Sequence, residues 1–233
     1  MSVPFVLEIA VESVGAARAA ERGGAHRIEL CAHLNIGGIT PSIELQRAVR
    51  SAVRIPIHVL IRFRDGDFLY SESEIENMKQ QIETAKQVGM NGVVLGVLKA
   101  NQSVDVETTR ELVLHARPLS VTFHRAFDET PNLRQSLEEV CSTGATRILS
   151  SGGAKDALSG ALALRSLVQA AGDRISVMPG GGVRSSNLPE LLRATQAREF
   201  HSGLGSVMDY NSEDFAGFAI EVRKLAGQIR EST

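Results

Sequence analysis

Cysteine is scarce in this chain. Only Cys31 and Cys141 occur, far apart in sequence, which speaks against a disulfide framework and against a CxxC metal knuckle. An excess of basic residues is missing too: Lys+Arg 25 against Asp+Glu 27 gives a net charge of -2, without the positive field that holds nucleic acid or anionic membranes. No apolar run approaches the roughly 18 to 20 residues that span a bilayer. Met1-Ser2-Val3-Pro4 leads straight into a strand-like segment, with no basic region or cleavage site, so a cytoplasmic protein with no nucleic-acid or membrane partner is expected. There is no linker-like stretch rich in Pro, Gly or Ser, and residues 1–233 are expected to form one domain. No strand-like run holds a lysine inside, which disfavours Schiff-base chemistry.

What is present is an alternation. In 233 residues with 43% hydrophobic content, short β-rich runs recur between longer helical patterns. The runs cover Val6 to Val11, Arg27 to Ala32, Ile55 to Arg62, Val93 to Leu98, Ser120 to Phe127, Arg147 to Ser151, Ile175 to Met178 and Glu199 to Ser202. Helix starts are marked by Thr40-Pro41, by Thr130-Pro131 and by Ser71 with Glu74, and helix stops by Gly23-Gly24 and Gly144. Eight βα units predict a parallel sheet closed as a (β/α)8 TIM barrel. An open doubly wound sheet is disfavoured, because Ala10-Val11-Glu12-Ser13-Val14-Gly15 stands where a GxGxxG would follow the first strand.

Strands of a parallel barrel are expected to be almost wholly apolar, so polar residues inside these runs are informative. With a period of 2, the apolar face meets the helices and the other face points inward. That predicts an interior containing Glu8, Arg27, Glu29, Cys31, His58, Leu60, Arg62, Thr122, His124 and His201. Buried ionisable groups have to be paired or reach a solvated mouth, so Glu8, Glu29 and Arg27 read either as a structural ion-pair layer or as part of a site. His124 with Glu8 or Glu29 would form an acid/base pair, while several histidines with a carboxylate would form a metal site. Arg62 and Arg64, with Asp67 in the same loop, suit capture of a carboxylate or phosphate. Arg125 and Asp128 add polar groups after the fifth strand. Gly181 and Gly182 follow the seventh strand, and Ser202, Gly203, Gly205 and Ser206 end the eighth, where barrel enzymes commonly build an anion site from backbone amides. Cys31 is a candidate soft ligand for copper(I), whereas Cys141 falls on the buried stripe of a helix.

Several segments together resemble the copper homeostasis protein CutC family. They are Leu7-Glu8-Ile9, Arg27-Ile28-Glu29-Leu30-Cys31, Gly37 to Ser42, Ile61 to Phe68, Val121 to Asp128 and Met178 to Val183. The resemblance runs from about residue 5 to about residue 206 and implies a cytoplasmic TIM barrel, often homo-oligomeric, linked to copper homeostasis and proposed to bind copper(I). It departs in two places. Family members often carry a cysteine near the end of the first strand, where this chain has Ile9, Ala10 and Val11, and the usual Arg-Pro-Arg-Gly-Gly-Asp loop reads Arg62-Phe63-Arg64-Asp65-Gly66-Asp67. Two functions are therefore expected in competition: a CutC-like copper(I) binder, and an enzyme using acid/base chemistry on a small phosphorylated or carboxylate substrate at the C-terminal barrel mouth.

Overall fold

The computed structural model describes residues 5–204 and 215–231; Gly205 and Ser206 lie outside that range. Eight strands form the sheet: β1 (Val6–Val11), β2 (Arg27–Leu30), β3 (Ile57–Leu60), β4 (Gly92–Leu95), β5 (Ser120–Phe123), β6 (Arg147–Ser150), β7 (Ser176–Pro179) and β8 (Glu199–Gly203). Their order is β7-β6-β5-β4-β3-β2-β1-β8, and every described pairing is parallel. β7 and β8 lie side by side and nearly close the barrel, although no ladder joins them among the described residues. Helices follow the strands: α1 (Val14–Gly23), α2 (Ile43–Ala52), α3 (Glu72–Val88), α4 (Val106–Ala116), α5 (Leu133–Thr143), α6 (Ala161–Ala171), α7 (Leu188–Thr195) and α8 (Ala216–Glu231).

Strand alternation separates two layers. Leu7, Ile9, Ile28, Ile57, Val59 and Val93 face outward and join the helices' Ala17, Val49, Met78, Ile82 and Leu112 in one apolar cluster. Burying such a side chain is worth about 1.5–3 kcal/mol, so this layer fixes the register that sends the polar positions inward. Inside the barrel, the apolar content at the mouth is a small separate cluster of Cys31, Leu60 and Val94.

The helix boundaries correct two expectations. Ser71 and Glu74 do form a capping box at α3, and Gly24 and Gly144 end α1 and α5 in the left-handed region. Thr40 and Thr130, however, are not N-caps. Ser42 and Asn132 cap α2 and α5, because a residue before proline is pushed towards extended backbone and the helix begins later. Thr40 Oγ1 instead accepts from the Arg62 amide (2.9 Å) and donates to Gln81 (2.7 Å). β5 also stops sooner than expected. His124 Nδ1 accepts from the Ala126 amide at 3.2 Å and caps a 3₁₀-helix over Arg125–Glu129.

Candidate active site

Register places Glu8 beside Arg27 on one side and His201 on the other, and Glu29 beside His58. Arg147 and Glu199 open β6 and β8, so with Arg27 they sit at the N-terminal ends of their strands. There Arg27 binds Glu8 through Nε and Glu199 through Nη2 (2.7 Å), and Arg147 Nε donates to Glu199 (2.5 Å). Burial alone would hold the Glu8 carboxyl protonated. The charge of Arg27 and the hydrogen bond from His201 outweigh it and keep the carboxyl well below the usual range.

Above this layer the chemistry changes. His201 bridges two carboxylates, with Nδ1 2.9 Å from Glu8 Oε1 and Nε2 3.5 Å from Glu29 Oε2. Burial disfavours the imidazolium, but these two carboxylates raise its affinity for a proton. Burial pushes the Glu29 carboxyl up to about 7; His201 opposes the shift and the nearby Glu8 charge adds to it. Glu29 and His201 therefore form a buried pair whose proton is mobile near neutral pH.

Both residues line a cavity of about 160 Å³ at the C-terminal mouth, together with Ala10, Cys31, Leu60, Arg62, Phe68, His124, Arg125 and Gly203. At roughly 30 Å³ per water, this space suits a ligand of a few heavy atoms. Arg62 holds the loops around it by donating to Gly38 O (2.9 Å) and Gly66 O (2.8 Å). Phe68 packs on the Arg62 guanidinium and, with ring centroids 4.8 Å apart, on His124. Glycine makes room for the rings: a Cβ on Gly96 would lie 2.6 Å from His124, and one on Gly92 would lie 2.5 Å from His58.

The structure brings together part of the expected site. Glu29, His201, Cys31, Arg62, His124, Arg125 and Gly203 reach the cavity, and Glu8 stands behind His201. The expected pairing of His124 with Glu8 or Glu29 is not formed. His201 takes that place, because β8 lies directly beside β1 in the sheet whereas β5 is four strands from β1. Arg64 does not join Arg62 at the mouth: it is tied to Glu74 (2.6 Å) and Asp67 (3.0 Å) in the loop after β3. The chain leaves the strand after Leu60, so the two-residue spacing no longer sets a common direction. Asp128 is used internally, accepting from Ser150 Oγ (2.6 Å), the Ser151 amide (2.9 Å), the Gly153 amide (3.0 Å) and Arg125 Nε (2.9 Å). Ser202 Oγ donates to Val183 O at 2.6 Å, which locks the loop after β7. A Cβ on Gly181 would lie 3.3 Å from the Arg125 guanidinium, and neither Gly181 nor Gly182 lines the cavity. Sequence reasoning missed Phe68 and the Arg147–Glu199 pair. The pair was readable, since period 2 puts Arg147 on the face of Leu149 and Glu199 on that of His201.

Comparison with known proteins decides the lineage. The CutC family profile matches residues 5–206. The chain belongs to the CutC family. The human copper homeostasis protein cutC homolog is 45% identical over 205 residues, covering 88% of this chain and 75% of that relative. A CutC family protein of Xanthomonas campestris is 45% identical over 196 residues, covering 84% and 82%. Among solved structures, CutC from Streptococcus agalactiae superposes with a TM-score of 0.81 at 29% identity, covering 85% of this chain and 98% of the other. Thiamine phosphate pyrophosphorylase from Pyrococcus furiosus, with a TM-score of 0.65 at 16% identity over 98% and 96% of the chains, shares the barrel fold alone. The relatives' names connect the CutC family with copper homeostasis.

Proposed function

We propose that the barrel mouth is the acid/base site of an enzyme acting on a small anionic substrate, a carboxylate or a phosphorylated compound. The observation that carries this reading is the Glu29–His201 pair in the cavity, with the Glu29 carboxyl at about 7. A general acid or base works best with a proton affinity near the working pH. Arg62 and Arg125 on the cavity wall favour an anion. His201 orients and charges Glu29, and Glu8 anchors His201.

The relatives' names point to copper homeostasis, and the family resemblance adds a second reading, a copper(I) carrier with Cys31 as its ligand. The donor chemistry does not fit that ion. Burial, followed by the charges of Glu29, Glu8 and Glu12, pushes the Cys31 thiol well up and keeps it neutral, whereas the thiolate is the metal ligand. Among the described residues, the group able to converge on a cation is Glu8, Glu29 and His201, within 4.8 Å of one another; it offers oxygen and imidazole nitrogen without Cys31. Copper(I) prefers thiolate and thioether, and Arg27 already occupies Glu8.

Incubation in D₂O with a panel of small keto- and hydroxy-carboxylates and their phosphorylated counterparts tests the enzyme. Deuterium should enter the substrate carbon, and Glu29→Gln should slow this by about 10²- to 10⁴-fold. Exchange that survives Glu29→Gln removes the assignment. Titration with copper(I) against a competing chelator is the second arm, and stoichiometric binding lost in Cys31→Ser would replace the enzyme by the carrier. Cytoplasmic residence and self-association belong to the same proposal and rest on the family resemblance; light scattering after gel filtration tests the latter.

A further inference from the structure

His124 caps the 3₁₀-helix by accepting the Ala126 amide on Nδ1 at 3.2 Å. A nitrogen that accepts carries no proton, so in the neutral ring the proton is on Nε2. Nε2 is buried and has no partner among the described residues. The ring is held neutral, because burial and then the Arg62 charge lower its proton affinity to about 3. Arg62 differs: its two terminal nitrogens are used on backbone carbonyls, and its side chain also lies within hydrogen-bonding reach of the buried Tyr70 hydroxyl, so it offers the site its charge. Both side chains line the mouth cavity, and both pack on Phe68. A buried donor without an acceptor costs about 1–3 kcal/mol, and native interiors rarely keep one without a use.

We infer that His124 Nε2–H, with the Arg62 charge beside it, forms a cradle for one planar oxygen group of the ligand, a carbonyl that becomes an enolate. The inference rests on the Glu29 proton-transfer reading and adds its substrate class: a small carbonyl compound with an acidic C–H beside the carbonyl. The C–H bond breaks and its proton passes to the Glu29 carboxylate. The electron pair forms the C=C bond, and the carbonyl becomes C–O⁻ against the His124 donor; Glu29 then returns the proton to the same carbon and the carbonyl re-forms. A neutral imidazole is suited to this, because it donates a hydrogen bond without surrendering a proton to bulk water. His124 is thus an electrophile of the site, and proton transfer stays with Glu29.

The test uses the full ¹⁵N-labelled chain, with oxalate as a planar mimic of the enediolate. Long-range ¹H–¹⁵N spectra should show His124 as the neutral Nε2–H tautomer from about pH 5 to about pH 8. Oxalate should move the Nε2 proton downfield. His124→Phe should weaken oxalate binding about tenfold or more, and His124→Gln, which keeps an N–H donor, should recover part of the loss. A protonated ring, the Nδ1–H tautomer, no oxalate binding by the unaltered protein, or equal binding by His124→Phe would each overturn the cradle. The spectra of the unaltered protein decide the tautomer even if a variant folds poorly. The two readings fail separately: oxalate binding with the His124 signature but no deuterium exchange with any substrate leaves the cradle standing and removes proton transfer by Glu29.

Discussion

At the N-terminal ends of the strands, Arg27 lies between Glu8 and Glu199, and Arg147 closes on the far side of Glu199. At the mouth, the Glu29 carboxyl holds its proton up to about 7, and His124 keeps a donor without a partner. Both regions are buried at their centres, at Glu8 and Arg27 below and at Glu29, His201, Arg62 and His124 above, and both draw on arginine and glutamate. The difference lies in satisfaction: the lower layer cancels its own charges, and the upper one leaves its hydrogen-bonding capacity for something else. Polar residues inside a barrel therefore do not by themselves mark a site; what distinguishes the mouth is an unpartnered polar group that also lines a cavity.

Breaking the lower layer should have the largest effect on stability. Arg27→Leu leaves Glu8 buried without its arginine, while Glu199 keeps Arg147, and loss of one partner of a buried pair costs about 3–5 kcal/mol. Urea denaturation near neutral pH checks this, and a loss well under 1 kcal/mol would mean that Glu8 takes up a proton at little cost.

The two regions should also answer pH with opposite signs. Glu8 binds its proton less tightly when folded, so its contribution is present above about pH 4.5 and is lost as pH falls through its folded value. Glu29 binds its proton more tightly when folded, at about 7 against 4.5. Its contribution is complete below about pH 4.5 and is lost as pH rises through about 7. His201, also raised, adds to the loss with rising pH. Glu29→Gln should consequently stabilise the protein at pH 8 by an amount on the order of 3 kcal/mol, and by little near pH 4. Denaturation curves at both pH values check the crossing, and a pH-independent difference would contradict the assigned shift.

The smallest effect is expected at Arg64. Its ion pairs with Glu74 and Asp67 are partly exposed and lie away from the cavity, so Arg64→Ala should cost about 1 kcal/mol or less. Oxalate affinity, measured by calorimetry, should stay unchanged. A large drop in that affinity would return Arg64 to the mouth and blur the boundary between the two regions.

Much of this was legible from alternation along single strands. Glu8, Glu29, His58 and His201 interrupt apolar runs at period 2, and the outward Ile and Val positions leave the polar face one direction to point. The choice of partners was not legible, because it depends on which strands are neighbours and how high each residue sits in the barrel. His124 and His201 read alike as inward histidines, yet one meets two carboxylates and the other none. Past the strand ends the rule lapses, which is why Arg64 and Asp128 went to loop architecture; Ser202 lies inside β8, one residue on from the inward His201, and goes to Val183 O instead. The capping prolines misled for a related reason: the residue before each is extended, and the helix waits for the next polar side chain.

Gly92 and Gly96 give β4 and its exit a different role from the other strands. A methyl group at either position would occupy space now filled by an imidazole ring. This stretch of chain works as a mould, supplying the shape into which His58 and His124 are cast. Anyone transplanting this mouth onto another barrel would have to carry the two blanks along with the polar residues. With alanine at either place, the same histidines would point somewhere else.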